Sequence, residues 1–193
     1  MIQKMRRFAD RDNLIRNYRF EISELFQLED IYHKSLLPYF GDALIAFSDI
    51  KKMHHVNPQS FHSIFKTDKN GGSDEMCGVV ALMPLTDKAA QSMRTLTLTG
   101  SDLKPIHIAS PAEQSKSGYL ALCFVTSANP RDRSACLVFT GKLCLTYSEV
   151  LMGPSTPEGL KVTQLSGAQP LFESEDSPGR GLYQWRNISI TNL

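Results

Sequence analysis

Gly118-Tyr-Leu-Ala-Leu-Cys-Phe-Val-Thr-Ser-Ala-Asn-Pro130, running on through Arg131-Asp-Arg-Ser-Ala-Cys136 to Tyr147, is the stretch on which this chain turns. Tyr119 to Val125 is an apolar run of strand length. Thr126 to Pro130 reads as a turn, and Arg131-Asp132-Arg133 places charge at its exit. Leu137, Val138, Leu143 and Leu145 then give the core side of a helix expected from about Ser134 to Tyr147. A strand that turns into a helix N-terminus suits an anion, because unpaired N–H groups and the positive end of the helix dipole face outward there.

The flanks supply a sheet for this strand to join. Tyr18, Phe20 and Ile22 alternate with Arg19, Glu21 and Ser23, which predicts a first strand. Leu28, Ile31, Leu36 and Leu37 suit a helix stopped by Pro38, and a second helix is expected from Ser48, as N-cap, to just before Pro58. Asn70-Gly71-Gly72 between Phe61–Lys66 and Glu75–Leu85 marks an antiparallel hairpin. Cys77 to Met83 is nearly all apolar, as a strand covered on both faces would be. Thr86-Asp87 caps a helix over Lys88–Leu98, and Leu103–Ser110 suits a short strand. Beyond the central stretch, Val150–Gly153 is a short buried strand. Thr156-Pro157-Glu158 opens a helix that closes near Gly167. Gln169–Glu173 and Gly181–Ile190 complete the sheet. The predicted class is α+β, one mixed sheet flanked by helices.

The totals narrow the function. At 193 residues, the chain is expected to hold an arm over residues 1–17 and one domain over 18–193. With 21 basic and 20 acidic side chains there is no global field to draw in nucleic acid or an anionic membrane. Cys77, Cys123, Cys136 and Cys144 have no CxxC spacing and read as reduced core thiols of a cytoplasmic protein. No apolar segment approaches the ~18 residues that a membrane span needs. The residues after Met1 lack an apolar signal core, which argues against export. His54 and His55, adjacent on one helix, point to different faces and suit no shared metal.

The element order resembles the GNAT family of acyl-CoA-dependent N-acyltransferases from Tyr18 to Ile190. Three local features carry the resemblance. Pro130 is followed three residues later by Arg133 at the strand exit. The helix from Thr156-Pro-Glu-Gly159 closes at Gly167-Ala168, and Arg180 to Arg186 resembles the family's closing strand. The resemblance implies a cleft where a central strand splays from its neighbour, acetyl-CoA or another acyl-CoA as cosubstrate, and an amine of a small molecule or protein as acceptor. Transfer would proceed by direct attack, with no covalent enzyme intermediate.

Residue roles follow from the same resemblance. The backbone near Phe124 or Val125 would polarise the thioester carbonyl. Arg131 and Arg133, with the N–H groups of Ser134, Ala135 and Cys136, would bind the diphosphate; the other reading is a solvated pair bridging to Asp132. The family's signature glycines are absent, and small residues stand in their place. Thr163 falls where many members carry a proton-donating Tyr and could hold a water. Glu149 and His107 are candidate bases for the amine. Cys123 and Cys136 are candidate nucleophiles or core thiols, and Trp185 a core anchor. A GNAT-fold module that binds acyl-CoA or a protein without catalysis is the alternative. The region from Leu98 to Ile108, expected to be exposed, offers a surface for a homodimer.

Overall fold

The structure is a computed structural model that describes residues 11–41, 44–68, 74–154, 156–174 and 177–187. Seven strands form one sheet in the order β1-β2-β3-β4-β5-β7-β6: β1 Tyr18–Ile22, β2 Phe61–Lys66, β3 Glu75–Pro84, β4 Ser117–Val125, β5 Glu149–Met152, β6 Gln169–Ser174 and β7 Ser177–Arg186. Every neighbouring pair is antiparallel except β4 with β5. That parallel pair needs a crossover, which α5, Pro130–Cys144, supplies. The expected α+β mixed sheet is therefore present, and apart from the segment Leu103–Ser110 the order of its elements is the predicted one.

The helices divide between the two faces. On one lie α1 (Leu25–Ile31), α2 (Leu37–Phe40), α3 (Phe47–Val56) and α4 (Asp87–Arg94), which bury Leu28, Ile50 and Met93 against Val79, Ala81 and Met83 of β3. On the other, α5 and α6 (Pro157–Ser166) cover Val80, Leu82, Val150 and Trp185. Alternate residues of β3 thus serve different cores, which is why the strand reads as one apolar run.

Several local expectations are corrected. Pro38 does not stop the first helix. A π turn over Tyr32–Leu36 leads into α2 with Pro38 in its first turn, the Leu37 N–H reaching back to the Tyr32 carbonyl. The wider turn accommodates a residue that has no N–H to donate and whose ring crowds the preceding turn. The next helix is capped at Ala46 and starts at Phe47, without a side-chain cap from Ser48. Leu103–Ser110 is not a strand: it forms 3-10 turns with a single bridge between Leu85 and Ile108. Of the large apolar residues in this region, Leu98, Leu103 and Ile108 are buried in the chain's own core and Ile106 is exposed, while Thr99, Ser101, Asp102 and Lys104 are exposed as expected. The tip of the β2–β3 hairpin lies outside the described residues.

The expected helix ends at Thr86, Thr156 and Gly167 stand. Thr86 accepts from the Ala89 N–H at the head of α4. Thr156 does the same for Gly159 at the head of α6, and Gly167 closes that helix at φ 83°. His54 and His55 each turn to a backbone carbonyl, of Ser23 and Lys51. Among the described residues no His, Cys, Asp and Glu cluster could hold a metal, and no helix is long and apolar enough to cross a membrane.

Candidate functional site

The sheet opens beside β4. Pairing between β4 and β5 runs only from Ser117 with Glu149 to Leu120 with Met152, after which β5 ends and β4 continues to Val125. On its other edge β4 stays bound to β3 to the end, with a bulge that leaves Ala121 as the extra residue between Leu120 and Leu122. The Thr126 N–H donates to the Cys77 carbonyl at 3.0 Å, which fixes the phase of the ladder. Antiparallel pairs alternate, so Phe124 directs its main-chain groups at β3, whereas Cys123 and Val125 direct theirs into the gap where β5 has ended. Of the two residues named for a carbonyl-polarising amide, Val125 faces the gap and Phe124 does not.

An apolar cavity of about 920 Å3 lies beneath the gap on the α1–α4 face. Val79, Ala81 and Leu122 form its floor, and Leu28, Leu36 and Phe40 close it from the helices. None of the described residues lining it is an acid, a histidine, a cysteine, a lysine or an arginine; Tyr32 and Tyr119 are its only titratable groups. On the other face, a pocket of about 30 Å3 between α5 and α6 has room for about one water.

The expected diphosphate cradle is not formed by the residues assigned to it. Helix α5 begins at Pro130, four residues earlier than predicted, because Asn129 caps it: its side chain accepts from the Arg131 N–H at 3.0 Å. Its carbonyl takes the Arg133 N–H at 3.3 Å. Ser134, Ala135 and Cys136 therefore lie inside the helix, where their N–H groups serve carbonyls one turn back, and Ala135 and Cys136 are buried. Asp132 does not bridge to its flanking arginines. It turns inward and accepts from the Tyr18 hydroxyl at 2.5 Å, placing a buried carboxylate at the positive end of the helix. Only the exposed Arg131 and Arg133 side chains remain to meet a phosphate.

The proton-transfer candidates are dispersed. Glu149 is buried where β4, β5 and β7 meet, held by Arg94, by Ser117 Oγ at 2.6 Å and by the Gln184 amide. Burial raises its carboxyl pKa, but Arg94, Ser117 and Gln184 together outweigh that and hold it below the usual range. A carboxylate so engaged is a brace between strands and a poor base. His107 ends a 3-10 turn, with Nδ1 accepting from the Lys104 N–H, and does not line the cavity. Thr163 is buried on α6, also away from the cavity.

Cys123 and Cys136 meet at 3.5 Å in the α5 core, and the contact with Cys123, followed by burial, pushes the Cys136 thiol up. They pack as core thiols, as do Cys77 and Cys144. Trp185 is buried in the same core. The residue the sequence did not single out is Tyr119, which lines the cavity where β4 and β5 part. Its neighbours there, Gly100 and Gly153, are distant in sequence, so no local pattern marks it.

Comparison with solved structures places this architecture. The loading GNATL domain of CurA from Lyngbya majuscula superposes with a TM-score of 0.53 at 12% identity, over 88% of this chain and 97% of that one. The chain has the GNAT fold. A GNAT family acetyltransferase from Listeria monocytogenes aligns over 88% of this chain and 95% of its own, with a TM-score of 0.49 and 9% identity. An acetyltransferase from Streptococcus agalactiae aligns over 88% and 96%, with a TM-score of 0.45 and 13% identity. No family model matches the sequence, and no curated protein matches it. Within the GNAT fold, the gap beside β4 and the cavity under it are the features of this chain best placed to receive a ligand.

Proposed function

We propose that this GNAT-fold protein binds an acyl thioester across the β4–β5 gap and acts as an acyl-CoA-binding module. The observation that carries this reading is the unpaired main chain of Cys123 and Val125 above an apolar cavity. A pantetheine arm carries two amides and can pair with those groups as a short added strand, which directs the acyl end into the cavity. Arg131 and Arg133, exposed beside the strand exit, would meet the phosphates as side chains alone.

The binding reading is preferred to transfer because Glu149, His107 and Thr163 all lie off the cavity. A second reading, N-acyl transfer to an amine, draws on the same gap: the Val125 N–H is available to stabilise a developing oxyanion, and aligning amine with thioester would supply the rate.

A thermal-shift titration with acyl-CoA esters tests binding, since a ligand at about 100 times its Kd stabilises by about 2.7 kcal/mol. The expected result is a saturable shift with no thiol release when amines are added. Thiol release that depends on the amine would instead establish transfer. No shift with any thioester would remove both readings.

A further inference from the structure

The cavity is far larger than a two-carbon acyl group requires. It extends from Phe61 on β2 to Phe172 on β6, with further walls from β3, β4 and β7. Taking about 30 Å3 per carbon, close to a water's share of the liquid, an acetyl group would occupy a small fraction of the 920 Å3. Apolar walls do not hold the remainder as ordered water, and interiors are otherwise closely packed.

The two ends of the cavity differ. Under β5 to β7 it is bordered by Thr99, Ser101 and Pro154, and Phe172 is exposed. Under β2 to β4 it is closed by buried aliphatic and aromatic side chains, Leu28, Leu36, Ile50 and Phe61 among them. Tyr119 stands between. Its residue is 7% exposed, its hydroxyl has no hydrogen-bond partner among the described residues, and burial pushes the phenol up to about 12. It is therefore a proton-bearing donor at neutral pH. The fit around it is close: a Cβ on Gly100 would lie 2.0 Å from the hydroxyl oxygen, and one on Gly153 3.0 Å.

We propose that the cavity is a site for a medium-chain fatty acyl group of about eight to twelve carbons, with Tyr119 Oη donating a hydrogen bond to its carbonyl oxygen. This rests on the thioester reading above and adds the acyl class to it. The chain runs from Tyr119 on β4 toward Phe61 on β2, two strand steps or roughly 10 Å, about the extended length of eight carbons. Each methylene placed there leaves water for an apolar wall, so affinity climbs with chain length.

Calorimetry with acetyl-, octanoyl- and dodecanoyl-CoA, and with octanoate alone, tests the proposal on the full chain. Octanoyl-CoA is expected to bind at least 30-fold more tightly than acetyl-CoA. Tyr119→Phe, which keeps the ring between the two glycines, should weaken octanoyl-CoA about fivefold. Ala81→Phe, which fills the floor, should abolish the preference for the longer chain. Equal affinity for acetyl- and octanoyl-CoA would overturn the chain site and leave the thioester reading standing. Binding of octanoate without binding of any thioester would do the reverse. Tyr119→Phe with unchanged octanoyl-CoA affinity would overturn the part given to Tyr119, and no binding of any probe would overturn both.

Discussion

Glu149 ties β4, β5 and β7 together through a carboxylate held by Ser117, Gln184 and Arg94. An acid at the start of a buried strand is a reasonable base until Arg94, Ser117 and Gln184 are found to occupy it. Because its folded pKa is depressed, its stabilisation is fully present above the unfolded carboxyl value of 4.5 and is lost as pH falls through the lower folded value. Glu149→Gln should cost about 2 kcal/mol at pH 7 and flatten the acid limb of stability, as followed by urea unfolding from pH 7 to 3. His62 acts at higher pH. It lies edge-on to Phe139, its Nδ1 is buried without a hydrogen-bond partner among the described residues, and burial lowers its pKa from 6.5 to about 4. The unfolded chain therefore takes up this proton first, and stability drains away as pH falls from 6.5 toward 4, by on the order of 3 kcal/mol. His62→Phe should remove that loss, so its urea midpoint would change less than wild type between pH 7.5 and 5. A loss as large as that of wild type would show that the imidazole takes its proton as readily in the folded chain.

At the scale of elements, α5 and β4 decide what the site can hold. The helix starts four residues before the position its apolar spacing predicts, because Asn129-Pro130, which suits a turn, is also a cap followed by a good first helical position. Asn129→Ala should destabilise the fold by about 1 kcal/mol while leaving the Kd for acyl-CoA within twofold, since the cap serves the helix and not a ligand. A large loss of affinity at unchanged stability would mean that the helix end does grip phosphate. The gap in the sheet makes a separate prediction for hydrogen exchange. Amides of Cys123 and Val125 should exchange faster than those of Phe124 and Thr126, which are bonded to β3, and ligand should slow the first pair selectively. Equal protection of all four amides without ligand would mean that the gap is closed in solution.

Across the whole molecule the sheet separates two cores, and the cavity belongs to only one of them. Trp185, the only tryptophan, is buried among residues packed under α5 and α6 and does not line the cavity. Its emission should follow unfolding in urea yet stay unchanged when acyl-CoA saturates the cavity; a ligand-induced change would place the ligand on the α5 face instead. The sequence by itself determined the strand and helix order, the caps at Thr86 and Thr156, the closing Gly167 and the GNAT resemblance. All of these rest on short-range periodicity and turn chemistry, which residues a few positions apart encode. Only the tertiary structure decided that the N–H groups of Ser134 to Cys136 are consumed within α5, that Glu149 is braced, and that Gly100 and Gly153 frame Tyr119 at an apolar cavity. Those facts depend on which distant groups meet across the sheet, and the partners of a hydrogen bond or the walls of a cavity are set by the packing of the entire chain.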